Sequence, residues 1–121
     1  MSGVAVGDVL KVQFPAQRPP GHEQTGSRPA VVVGLPDRVG VSRFPALVVV
    51  PLTSNVGGYA STSPALYPVL AAGQGGLTVP SVALVDNVRA LDVLRILGRL
   101  GTLTPDESAP IRAALTAMFD L

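Results

Sequence analysis

Thirteen glycines and twelve prolines are scattered through the 121 residues and cut most of the chain into short apolar runs. Both residues interrupt regular structure, glycine by its conformational freedom and proline by its fixed φ and missing N–H. A chain punctuated this often has no room for a bundle of long helices and reads as many short strands joined by structured loops. Residues 7–14 alternate, with Leu10, Val12 and Phe14 on one face and Val9, Lys11 and Gln13 on the other, the pattern of a half-buried strand. Residues 30–33 and 46–52 are continuous β-branched and aliphatic runs, which predicts strands buried more deeply. Residues 65–70 suit an edge strand, because Pro68 removes a ladder donor. Residues 81–88 and 96–100 supply the remaining strands.

Only the end of the chain has helical signals. Thr104 is placed as an N-cap, Pro105 fits the first helical position, and Glu107 completes a capping box. Ile111, Leu115 and Met118 then form an apolar stripe with Phe119 beside it, so a helix is expected over Pro105–Phe119. Pro110 conflicts with a straight helix and predicts either a separate first turn or a kink. Strands followed by one helix give a mainly β fold with a C-terminal helix, a small bent sheet or barrel. Phe14 and Phe119 are expected in its core.

Composition narrows the function. Hydrophobic residues make up 47% of the chain and charged ones 14%, enough apolar surface to build a core. The absence of cysteine removes disulfides, thiolate nucleophiles and Cys-based metal sites. A single histidine, His22, removes a His-rich metal centre. The opening MSGVAVGDVL lacks the basic flank and apolar stretch of a signal peptide. The longest mainly apolar run, residues 44–52, falls far short of the roughly 20 residues that span a bilayer. The expectation is one cytoplasmic domain over residues 1–121, with no membrane segment. A net charge of +1 is too small for coating nucleic acid by phosphate neutralisation alone. Eight of the nine cations are arginines, Lys11 being the exception, and arginine has the better fork for phosphate.

Residues 15–29, PAQRPPGHEQTGSRP, have no periodic pattern, and a segment of that length in so small a chain is either functional or disordered. They hold His22, Glu23, Arg18 and Arg28. Arg28 precedes a proline, which biases it to extended backbone at the mouth of the next strand. A second cluster, Thr53 and Ser54, closes the run at residues 46–52 with two hydroxyls, a place where such residues also bond local backbone.

GDVLKVQF, GHEQTGSRPAVVVG, VVVPLTS and SVALVDNVRALD, in that order and spacing, resemble the MazF/PemK (Kid) family of toxin endoribonucleases, and LTPDESAPIRAAL resembles the family's last helix. The resemblance implies an SH3-like β-barrel of the CcdB/MazF kind. It also implies a homodimer that cuts single-stranded RNA without metal or other cofactor and is neutralised by an acidic, MazE-like antitoxin covering the RNA groove. On the family pattern Arg28 matches the arginine of the GxRP motif and Thr53 the hydroxyl residue of VPLTS, the pair most associated with cleavage. Glu23 and Gln24 match the loop's EQ, His22 a loop histidine of the Kid-like branch, and Asp86 that branch's acidic residue. The branch has an arginine two residues before this aspartate, where Leu84 stands here. The Arg28 and Thr53 centre therefore carries the expectation, with Glu23 or His22 in proton transfer.

The chemistry suits those residue types. RNA brings its own nucleophile, the 2′-hydroxyl, and the product of its attack is a 2′,3′-cyclic phosphate. Arginine's planar fork matches phosphorane oxygens, a threonine hydroxyl donates to one of them, and histidine moves protons near neutral pH. Gln24 and Ser54 join the RNA-binding set. Phe44 and Tyr59, in loop sequence, are candidates to stack on bases, and Arg18, Arg38 and Arg43 to line the groove. Residues 55–63, rich in Gly and Ser, read as a mobile loop. Arg89, Arg95 and Arg99 are assigned to a dimer face or the surface. Mean hydropathy of +0.44 gives room for a homodimer interface and an antitoxin surface. Two other readings remain: a gyrase poison of the CcdB type, which the absence of a tryptophan near the terminal MFDL disfavours, and a non-catalytic SH3-like interaction module.

Overall fold

A computed structural model describes residues 3–121. Seven strands and a terminal helix form it: β1 (Asp8–Phe14), β2 (Gly26–Gly34), β3 (Ala46–Thr53), a short helix α1 (Gly57–Thr62), β4 (Val69–Leu70), β5 (Ser81–Ala83), β6 (Arg89–Asp92), β7 (Ile96–Thr102) and α2 (Pro105–Phe119). The sheet runs β4-β5-β3-β2-β1-β7, with β6 also on β3, and every pairing is antiparallel. It is a curled sheet with one C-terminal helix, as the punctuation of the sequence implies.

The alternation of β1 is explained by two cores, one on each face of the sheet. Leu10, Val12 and Phe14 join Ala30, Val32, Leu47 and Val49 on one side. Val9 faces the other way, with Val31, Val50, Leu52 and Ile111 of α2. The unbroken apolar runs of β2 and β3 follow from this, since consecutive residues point to opposite faces and both faces are covered. The β4 end of the sheet does not pair with β7. Instead a 3-10 turn at Gln74–Gly76 packs on β7, where a side chain at Gly76 (φ 76°) would run into the carbonyl of Leu100.

α2 has the expected capping box: Thr104 Oγ1 accepts from the Glu107 N–H at 3.2 Å, and the Thr104 N–H donates to Glu107 Oε1 at 2.8 Å. The helix is continuous through Pro110. Its buried stripe is Ser108, Ile111 and Ala114, with Leu115 partly buried.

Several expectations need correction. Only Val69–Leu70 of residues 65–70 form a strand. Residues 81–88 are not one strand: β5 stops at Ala83 and a 3-10 turn over Val85–Asn87 follows. β6, absent from the sequence reading, takes up the same edge of β3 further along, with Ala46 opposite Asp92. Residues 55–63 contain helix α1 rather than a continuous loop. Phe119 is 55% exposed and outside the core, because the stripe of α2 that meets the sheet ends one turn earlier.

Candidate active site

The site lies where two neighbouring strands part. β2 and β3 are paired only as far as Ala30 and Pro51. Pro29 has no N–H to give toward β3, so the ladder loses its next donor at this point. Past it, β3 pairs with β5, Leu52 opposite Ala83 and Thr53 opposite Val82. β2 keeps β1, with Arg28 opposite Val12. Counting on from Ala30 and Pro51, the register brings Arg28 level with Thr53. Arg28 is thus inside a strand rather than before one, and a cleft of about 250 Å³ opens here, lined by Ser27, Arg28, Thr53 and Ser54 with Gly76, Leu77 and Leu100 opposite.

Both side chains are oriented by local backbone. Arg28 Nε donates to the Thr25 carbonyl at 3.2 Å, which anchors the guanidinium by its stem and leaves the two Nη groups without a protein partner among the described residues. Thr53 is 8% exposed. Its Oγ1 accepts from the Asn55 N–H at 3.2 Å, so the hydroxyl proton is still available for donation. A phosphate in this cleft would meet a planar cationic fork and a neutral donor.

Thr53 is also a wall of a second cleft, about 400 Å³, shared with His22, Gln24, Asn55, Tyr59, Tyr67, Leu84, Asp86 and Asn87. Asp86 stands on the 3-10 turn after β5 and accepts a 2.5 Å hydrogen bond from the Tyr67 hydroxyl on Oδ2. That bond, with desolvation and the nearby carboxylate charge adding to it, pushes the Tyr67 phenol above its ordinary pKa. Tyr67 therefore stays a protonated donor toward Asp86. Tyr59 meets it edge to face, with ring centres 5.0 Å apart at 74°, and donates its hydroxyl to the Asn55 carbonyl at 2.5 Å.

The residues singled out from sequence thus divide. Arg28, Thr53 and Ser54 share one cleft; Thr53, His22, Gln24, Tyr59 and Asp86 share the other. Glu23 lines neither and folds its carboxylate back over Gly21. Arg18 is exposed on the loop before β2. Arg43 and Phe44 lie in the β2–β3 connection, at the opposite end of that hairpin from Arg28. There the guanidinium sits 5.6 Å over the ring and both line a separate groove with Asp37 and Pro45. Arg89 lies over the ring of Phe14 at 5.3 Å, and Arg99 pairs with the buried Asp8 at 3.4 Å. Among the described residues no three His, Asp or Glu side chains gather to hold a metal, and no helix is long and apolar enough to cross a membrane.

The chain has known counterparts in sequence and fold. The family model for the PemK-like, MazF-like toxin of type II toxin-antitoxin systems matches residues 5–119. The chain belongs to that family. Members of this PemK/MazF family are endoribonucleases, and three solved structures show the likeness in detail. MazF (form I) from Deinococcus radiodurans is 29% identical, with a TM-score of 0.74 over 98% of this chain and 97% of its own. MazE-MazF (form II) from the same organism is 28% identical, with a TM-score of 0.70 over 98% and 96%. An endoribonuclease in complex with its cognate antitoxin, from a mycobacterial species, shares the fold at 21% identity, with a TM-score of 0.68 over 100% and 97%. In the present PemK/MazF-family chain, Leu84 and Asp86 stand in one cleft wall, so the position where the Kid-like branch resembled above carries arginine is here an apolar part of the site.

Asn55, Tyr67 and Asn87 of the second cleft were not reached from sequence. Tyr67 sits in a segment that reads as a strand, and Asn87 in one that reads as a continuation of β5. A signal for Asn87 existed, because Asp-Asn is a turn-forming pair that interrupts an apolar run.

Proposed function

We propose that this protein is the toxin of a type II toxin-antitoxin pair and cuts single-stranded RNA, mRNA included, by attack of the 2′-hydroxyl on the adjacent phosphorus, with no metal required. The observation that carries the reading is the open cleft in which Arg28 and Thr53 come level where β2 and β3 part. As the 2′ oxygen bonds to phosphorus and the bond to the 5′ oxygen breaks, charge develops on the non-bridging oxygens. The Arg28 fork and the Thr53 hydroxyl are donors of the kind that stabilise it. The 2′ proton passes to a base and the 5′ oxygen takes a proton from an acid, leaving a 2′,3′-cyclic phosphate and a 5′-hydroxyl. His22 and Asp86, in the cleft that shares Thr53, are better situated for those transfers than Glu23.

Membership in the family and the MazE-MazF likeness support an acidic antitoxin as partner. Leu94, Leu97 and Leu100 are exposed at and along β7, an end strand of the sheet, and support a homodimer. The protein acts on cellular RNA, and we place it in the cytoplasm. The test is incubation of purified protein with mixed-sequence single-stranded RNA in EDTA, repeated with Arg28→Ala. Cleavage that survives the chelator and disappears in the variant is the expected result. Intact RNA with wild-type protein, accompanied by DNA gyrase arrest, would instead favour a gyrase poison of the same fold.

A further inference from the structure

Asp86 is the one carboxylate among the residues that line either cleft, and its side chain is exposed on a short turn. A carboxylate in that setting swings about two bonds unless a neighbour holds it, and a base that swings gives up much of the advantage of proximity. No lysine or arginine lines its cleft, where Leu84 adds only apolar surface. Among the described residues the one side chain that holds Asp86 is Tyr67, whose hydroxyl donates to Oδ2 at 2.5 Å from 19 residues away in the chain. Oδ1 is left without a protein partner there.

The tyrosine is itself braced. Its N–H donates to the Ser63 carbonyl at 3.0 Å, and the carbonyl of the next residue, Pro68, accepts from the Ala83 N–H at 2.8 Å. That second bond ties the segment to β5, the strand that runs into the turn of Asp86, so phenol and carboxylate are carried by one stretch of sheet. The Tyr59 ring meets Tyr67 edge to face and restrains its rotation. Packing against Tyr59 needs only the ring, whereas the hydroxyl is spent on Asp86. We propose that Tyr67 is a positioning residue for cleavage: its hydroxyl fixes Asp86 Oδ2 so that Oδ1 stands as the base that takes the 2′ proton. The inference rests on the RNA-cleaving function above and adds to it a residue and a direction of proton flow. Oδ1 gains the proton as the 2′ oxygen bonds to phosphorus and the bond from phosphorus to the 5′ oxygen breaks. The 5′ oxygen takes its proton from a separate acid, for which His22 stands in the same cleft.

The test is single-turnover cleavage of a ribo-oligonucleotide at saturating protein, for wild type, Tyr67→Phe, Asp86→Asn and the double variant. Binding of the uncleavable 2′-O-methyl counterpart is followed by fluorescence anisotropy. Tyr67→Phe keeps the ring and removes the hydroxyl, so the rate should fall by about ten- to a hundredfold while binding stays within about twofold of wild type. In the Asp86→Asn background the same change should cost less than about twofold, because the group it positions is gone. A substrate with sulfur in place of the bridging 5′ oxygen assigns the side of the reaction. Its thiolate leaves without a proton, so the Tyr67→Phe loss should persist on it. An unchanged rate, an equal loss in the Asp86→Asn background, a loss in binding equal to the loss in rate, or a loss that vanishes on the sulfur substrate each overturns the proposal. Thermal melting checks the fold. Should Tyr67→Phe melt early, Asp86→Glu carries the comparison, since a longer carboxylate cannot keep both the tyrosine bond and the place of Oδ1; a wild-type rate there also overturns the proposal. Wild type that leaves RNA intact would overturn the endoribonuclease function and the positioning role with it, whereas cleaving wild type with an unaffected Tyr67→Phe would overturn the positioning role alone.

Discussion

Arg28→Lys is the sharpest probe of the proposed centre, because it keeps the charge and removes the fork. In the protein, Nε is spent on the Thr25 carbonyl, so the stem is fixed and the two Nη groups reach the cleft together as a planar pair. Lysine offers a single ammonium with no counterpart to Nε, so both the anchor and the second donor are lost. Loss of one preorganised donor to a developing oxyanion costs about 10²–10³ in rate. A hundredfold loss corresponds to about 2.7 kcal/mol at about 1.36 kcal/mol per decade. The ground-state phosphate still meets a positive charge, so binding of uncleavable RNA should fall by less than about tenfold, charge being most of what holds the backbone. Single-turnover cleavage and anisotropy with a 2′-O-methyl oligonucleotide separate the two quantities. A rate within threefold of wild type, or equal losses in rate and binding, would refute a transition-state role for the guanidinium fork.

Thr53→Val keeps the shape of a largely buried side chain and removes its hydroxyl; single-turnover cleavage should fall by about 10²-fold while the melting temperature changes little, apart from the lost bond to the Asn55 N–H. Ile111→Ala empties a 1% exposed position between α2 and the sheet, so urea unfolding should show a loss of about 2–5 kcal/mol. The Tyr67 phenol is pushed up chiefly by its bond to Asp86. Its protonated form is the one favoured by folding, so this contribution is present below the ordinary tyrosine pKa and disappears as pH rises past the elevated value. Ultraviolet titration should find one tyrosine ionising late in wild type and returning toward the ordinary range in Asp86→Ala; a late tyrosine that persists in the variant would assign the effect to something else.

What the sequence made legible was the part governed by period and punctuation. The alternation of β1, the apolar runs of β2 and β3 and the capping box of α2 each follow a local rule that the folded chain obeys. The misses are places where contact with the rest of the chain overrides local preference. α1 contains two glycines and has no side-chain cap, so nothing in its own residues announces a helix. β6 is four residues, Arg-Ala-Leu-Asp, with only Leu91 buried, and it exists because an unfilled edge of β3 lies beside it. Residues 26–29 read as loop because a glycine, a serine and a proline dilute the strand signal, yet β1 pairs with all four. For the site, the hydroxyl and guanidinium at 53 and 28 were legible as residue types in suggestive strings. Their being level was not, since that depends on a register set by side chains at 30–32 and 49–51.

That register also explains why the two clefts sit where they do. β3 has two partners on one edge, β5 opposite Leu52 and Thr53 and β6 opposite residues 46–49, and between them the chain makes the turn that carries Asp86 and Asn87. The turn is pinned by the Leu84 N–H donating to the Pro51 carbonyl at 2.9 Å. The two prolines therefore act on different sides: Pro29, with no N–H to give toward β3, ends the ladder with β2 beside Arg28, while the Pro51 carbonyl, on the other edge of β3, holds the turn that presents Asp86. Since Thr53 lies two residues further on the same strand and faces both clefts, a shift of β3 by one residue would turn Thr53 to the other face and separate the guanidinium from the carboxylate cleft. The geometry of the site is thus a consequence of two prolines, Pro29 where the β2–β3 ladder stops and Pro51 where the turn is held, and changes at Pro51 should disturb Asp86 more than Arg28 although the proline touches no substrate.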